Sequence, residues 1–342
     1  MGVGAVAAVI AVGMFAAWWW LRSRAHAGTA PMAPGARALA PLPPQLREAA
    51  ARGSLVQMAS SLRELRDGRW NERSAVLATL GPYLRRAELD AALAGSPDDA
   101  TLLLMRAEQA VEWAWEARGE GAASGVDRDG WSRFAERMRL ASADLERAAA
   151  LDPPDPVPLA RLVEVARHLK QGEDVARRHL DAAIARNPTD YAARSTFFAF
   201  FCARRYGGSY EKMRAFAEEA ARGAPDGDLR HAFRYRAHRE LWSYEHGFGT
   251  AAAGDAHAAD PKVRAEVIES YERSVGHPMH RDEGLATLRL RADFASWFFL
   301  VRDRERCRDA LVRSGGLDVD RPWQELGRAD AKIAEARAWA MV

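Results

Sequence analysis

Three histidines, His231, His238 and His246, fall within one stretch, RHAFRYRAHRELWSYEHGFG. His231 and His238 are seven residues apart, so on a helix they share a face with Arg234 and Trp242. A metal site here would draw on His238, Glu245 and His246, with His277 or His280 from GHPMHRDE. The spacing is not that of a zincin helix, and no cysteine lies nearby. Histidines bridging helix contacts are the simpler expectation. A second candidate is Tyr206-Gly207-Gly208-Ser209, whose backbone N–H groups could face an anion at a helix start. No Gly-Lys-Ser/Thr follows, so it is not a P-loop. The alternative is a turn with Gly207 or Gly208 at positive φ and Ser209 capping a helix that begins at Tyr210. No strand-turn-serine arrangement supports a nucleophilic triad. Cys202 and Cys307 lie in helix-like stretches and read as buried thiols.

Composition gives these residues a setting. The 342-residue chain is 48% hydrophobic and 28% charged, values that suit a chain with a packed core. Four of its 49 basic residues are lysine and 45 are arginine. With the alanine richness, this reads as a high-GC bacterial coding bias, not as a functional signal. Residues 1–45 carry Arg22, Arg24 and Arg37 and no acidic group, so the rest of the chain, with 46 basic and 47 acidic residues, has a balance of −1. Such a domain is a poor nucleic-acid binder, since phosphate neutralisation needs a cationic surface.

Val3 to Leu21 is 19 residues without a charge, closed by Trp18, Trp19 and Trp20 and followed by Arg22 and Arg24. As a helix it covers roughly 28 Å, close to the hydrocarbon thickness of a bilayer, with the tryptophans at the headgroup level. This predicts a single transmembrane anchor over 1–27. A cleaved signal ending at Ala25-His26-Ala27 is the alternative. The flanking arginines place the C-terminal domain in the cytoplasm, beneath a bacterial inner membrane. Residues 28–44 hold five prolines and read as an extended spacer.

From 45 to 342 the residues that must position any site are helical. Ala, Leu, Arg and Glu dominate, and Gly, Pro and Asp punctuate at short intervals. Pro153, Pro188, Pro225 and Pro261 are spaced by 35, 37 and 36 residues. Counting back twelve, eight and five residues from the first two gives Ala141, Leu145 and Ala148, then Ala176, Leu180 and Ala183. The next triple, Met213-Ala217-Ala220, matches in part, as does Arg85-Leu89-Ala92 before Pro97, while Gly249-Ala253-Ala256 lacks the large residue. Small residues let paired helices approach, and the large one fills the groove to the next pair. Asp155, Asp190 and Asp226 follow the prolines and favour helix N-termini. The Gly/Ala-rich stretches 119–130 and 247–260 are expected to be loops.

In this pattern the chain resembles tetratricopeptide-repeat (TPR) proteins, most clearly over 131–225. The aromatic and glycine positions of the repeat's first helix are not filled in PVPLARLVEVARHLKQGEDV, so the resemblance implies the fold and not a consensus peptide groove. The segment ARRYGGSYEKMRAFAEEAARGAPDGDL, with AHRELW beyond it, also looks like an uncharacterised bacterial domain-of-unknown-function family with an aromatic-Gly-Gly-Ser turn, over roughly 70–250. That resemblance implies no activity. The expected architecture is therefore all-α: a TPR-like helical-hairpin array (an α-solenoid) of about 11–13 helices behind one transmembrane helix. The expected function is a membrane-anchored protein-interaction or scaffold module, not an enzyme, with no cofactor. Arg178, Arg230, Arg234 and His238 are the polar groups expected to meet a protein partner. The alternative is a small-ligand or metal-binding enzyme using 203–246.

Overall fold

The computed structural model describes residues 42–66, 68–119, 125–202, 208–281, 284–315 and 320–341. The anchor stretch Val3–Leu21 and most of the proline-rich spacer lie outside the described residues. Among the described residues no helix is long and apolar enough to cross a membrane.

The described residues are all-α, with 17 α-helices and no strand. Helices α1 (Pro44–Arg52), α2 (Leu55–Glu64), α3 (Trp70–Leu80) and α4 (Arg86–Gly95) precede two long ones, α5 (Ala100–Arg118) and α6 (Arg128–Leu151), which pack along each other. Next come α7 (Val157–His168), α8 (Glu173–Arg186), α9 (Tyr191–Phe198) and α10 (Tyr210–Ala221). The C-terminal part holds α11 (Ala232–Phe248), α12 (Ala251–Ala259), α13 (Pro261–Glu272), α14 (Leu285–Leu300), α15 (Arg304–Arg313), α16 (Asp320–Gln324) and α17 (Ala329–Met341). The excess over the expected number comes from short helices such as α1, α12 and α16.

The small-large-small positions behave as the spacing predicts. Leu145 on α6 and Leu180 on α8 are buried, as are Ala141, Ala148, Ala176 and Ala183 beside them. Met213, Ala217 and Ala220 repeat this on α10. The register fails on α12, where Ala253 and Ala256 are exposed and Gly254 and Ala258 are buried instead. Gly254 abuts the His246 ring and the Trp242 carbonyl, so this face is fixed by close approach to α11 and not by a large apolar residue. The predicted loop at 247–260 is also corrected. The Thr250 hydroxyl accepts from Ala253 N and starts a helix in an alanine-rich sequence.

Aspartates, more than prolines, mark the helix starts. Asp99, Asp127, Asp190 and Asp260 accept from backbone N–H groups of the first turns of α5, α6, α9 and α13. Pro153, Pro188 and Pro225 sit in the preceding turns, and Pro261 alone of the four opens a helix. Asp226 does not cap; it pairs with Arg273, and Asp228 accepts from Arg230 N in its place.

Helix α3 is buried on nearly every side through Trp70, Arg73, Val76, Leu77 and Leu80. It packs against α5, α7, α9 and α14. Its polar groups reach far along the chain. Asn71 accepts from Tyr191 N at 2.9 Å, and Thr79 Oγ1 accepts from Arg289 at 2.8 Å. The aromatic run at 197–201 is core, with Phe197, Phe198, Phe216 and Phe233 in ring contact. Cys202 and Cys307 are buried thiols, and burial pushes the Cys307 thiol up to about 12.

Candidate functional site

The polar residues selected from sequence separate in space. Arg178 is exposed on α8. Arg230 is buried and forks onto Asp228, at 2.9 and 2.7 Å, so it serves its own turn and is not offered to a partner. Arg234 lies on α11 with Glu269 of α13 at 3.1 Å. His238, 1% exposed, is also removed from any partner, because residues of α10, α12 and α13 close over it. Nor do the other histidines singled out from the sequence, His231, His246, His277 and His280, join it. His246 pairs with Asp255 at 3.0 Å, and His231 Nε2–H donates to Pro225 O at 3.1 Å. His280 Nδ1–H donates to Gly227 O at 2.7 Å. His277 Nδ1 accepts from Met279 N at 3.2 Å.

His238 gathers residues that the sequence did not single out. Its Nε2 faces Glu266 Oε2 of α13 at 3.0 Å. A carboxylate only accepts, so Nε2 carries the proton and Nδ1 presents its lone pair. Two groups converge on that lone pair: Tyr210 Oη of α10 at 2.8 Å and His257 Nε2 of α12 at 3.2 Å. Burial pushes the His238 imidazole down to about 4, against the pull of Glu266. Burial lowers His257 as well. Burial alone would raise Glu266, but its hydrogen bond to His238 and the Arg214 charge hold it below the usual carboxylate range. Among the described residues no group of three or more His, Cys, Asp or Glu side chains could hold a metal ion. His257 escapes a sequence reading because its segment has no apolar period. Glu266 and Tyr210 belong to other helices, and nothing in their spacing ties them to His238.

The turn before Tyr210 is partly described; Tyr206 and Gly207 lie outside. Ser209 Oγ accepts from Lys212 N at 3.3 Å and caps α10, as the capping reading requires. Gly208 is not left-handed. It is glycine because a Cβ there would overlap the Phe201 carbonyl.

A cleft of about 390 Å³ opens between α10 and α13, lined by Arg222, Arg234, Arg273, Glu218 and Glu269. Its floor includes the small residues Ala217, Ala221 and Ser270. Glu269 is fully engaged, with Oε2 on Arg234 at 3.1 Å and Oε1 on Arg273 at 3.4 Å. Asp226 takes Arg273 Nε at 2.9 Å. Each guanidinium has five N–H donors, so the cleft offers more donors than its carboxylates use. His231 forms part of the wall, and burial holds its imidazole below its ordinary value. No family model matches the chain, and no curated protein or solved structure matches it.

Proposed function

We propose that the chain is a membrane-anchored interaction module of TPR-like helical hairpins that takes an acidic segment of a partner protein in the α10–α13 cleft. The observation that carries this reading is the surplus of guanidinium donors at Arg222, Arg234 and Arg273 over a floor of small residues. A partner carboxylate would accept from the guanidinium N–H groups that Glu269 and Asp226 leave unused. The repeat reading is supported by the equivalent burial of Leu145 and Leu180 on α6 and α8. The face of α7 and α9 toward α3 is covered by this chain's own helix, so the partner surface is sought elsewhere. The anchor is the apolar stretch Val3–Leu21, with the domain in the cytoplasm.

Full-length protein in detergent should bind fluorescent Asp/Glu-rich peptides of about a dozen residues, as read by anisotropy, and weaken with salt. Arg222→Glu and Arg234→Glu should each weaken binding about 10-fold or more. Equal binding of neutral or basic peptides would contradict the reading. Carbonate extraction tests the anchor separately. The full chain should remain with the membranes, and deletion of 1–41 should release it.

A further inference from the structure

The geometry points to a divalent transition-metal site formed by His238 Nδ1, His257 Nε2 and Tyr210 Oη, with Glu266 as the carboxylate that orients His238; we propose zinc as the ion it fits. The two imidazole nitrogens face each other at 3.2 Å, and Tyr210 Oη lies 2.8 Å from His238 Nδ1. A tetrahedral ion with ligand distances of about 2.0–2.1 Å separates its ligands by roughly 3.3 Å, so movements of a few tenths of an ångström suffice. The ring centroids of His238 and His257 are 5.2 Å apart, with 36° between planes, so an ion can sit between the facing edges.

Glu266 fixes the His238 proton on Nε2, which leaves one lone pair on Nδ1. The Tyr210 hydroxyl and His257 Nε2 compete for it. A cation among the three atoms resolves that competition, because each then supplies a lone pair. The Nε2–H···carboxylate contact is the outer-shell arrangement that holds a ligating imidazole in its tautomer. The ligand set is two imidazoles and a phenol, which leaves a fourth position for water. On binding, His257 moves its proton from Nε2 to Nδ1, with no net change. Tyr210 loses its hydroxyl proton to solvent, so one proton is released per ion. Burial raises the Tyr210 hydroxyl above its ordinary value, and the Arg214 charge, 5.8 Å from the ring centroid and paired with Glu266, opposes that rise.

The test is titration of metal-stripped full-length protein with Zn²⁺ by calorimetry in two buffers of different ionisation enthalpy. The expected result is one ion per chain with release of about one proton. His257→Gln should weaken binding by about 100-fold, and Glu266→Gln by about 10–100-fold. Tyr210→Phe should remove the proton release. His257 is only partly buried and should tolerate replacement. If it does not, Tyr210→Phe, which keeps the ring, decides through the proton count. Failure of the wild type to take an ion would overturn the proposal. So would uptake with unchanged affinity in His257→Gln, or unchanged proton release in Tyr210→Phe. The proposal stands apart from the α10–α13 cleft, since neither Arg222 nor Arg234 belongs to it.

Discussion

Arg73 and Asp155 stand 82 residues apart in sequence and meet at 3.0 Å with both side chains almost wholly buried. Arg73 also donates to the Leu62 carbonyl, and the other Asp155 oxygen accepts from Val157 N at 2.8 Å. The aspartate therefore starts α7 and holds α3 against it. Removing either partner leaves a buried charge alone. Arg73→Ala or Asp155→Ala should lower stability by about 3–5 kcal/mol in denaturant unfolding. The double replacement Arg73→Met/Asp155→Leu should be markedly less costly than the two single losses combined. Full additivity would show that the pair is not coupled.

Leu180 is fully buried on α8, and Leu145 holds the equivalent place on α6. Replacing either by alanine should cost about 2–5 kcal/mol, through lost transfer energy and the cavity left behind. Val312, 61% exposed on α15, is the control, and its replacement by alanine should stay within about 0.5 kcal/mol. Similar costs at all three positions, measured by chemical denaturation, would refute the packing described.

At the start of α10, Ser209→Ala should cost about 0.5–2 kcal/mol through the lost cap. Gly208 distinguishes two reasons for a glycine. Asparagine is tolerated where the need is a left-handed backbone, but not where a Cβ meets backbone atoms. Gly208→Asn should therefore lower the melting temperature as Gly208→Ala does. Rescue by asparagine would contradict the close approach to Phe201.

These sites show how far the sequence was legible. Leu145, Leu180 and their flanking alanines could be read because the pattern is local to one helix and repeats. The capping role of Ser209 was equally local. Helix α12 was missed because alanine and glycine carry no apolar period, and its buried face depends on contact with Trp242 and His246. The His238 cluster draws one residue from each of α10, α11, α12 and α13. Its members are related by packing, which residue spacing along one helix does not express. Arg230 and His238 were expected to face a partner because they are polar, yet their bonds are satisfied inside the fold.

The metal-free protein should show the burial of His238 in its titration. Desolvation holds its imidazole down to about 4, whereas an unfolded chain titrates near 6.5. Glu266, His257, Tyr210 and Arg214 are the titratable and charged groups around it. As pH falls from about 6.5 to 4, the unfolded chain binds a proton that the folded chain refuses. This contribution to stability is complete above about pH 6.5 and is lost through that window. NMR of the imidazole carbons should find His238 neutral until about pH 4. A midpoint near 6.5 would contradict the cluster as described.

The most direct test of the proposed function is photo-crosslinking of the full-length chain in native membranes. A photoreactive residue at position 218, exposed on α10 and lining the cleft, should give a discrete protein adduct that Arg234→Glu in the same chain abolishes. The same residue at position 178, exposed on α8 and outside the cleft, should give none. Equal adducts at 218 and 178, or a position-218 adduct that survives Arg234→Glu, would contradict a partner seated between α10 and α13.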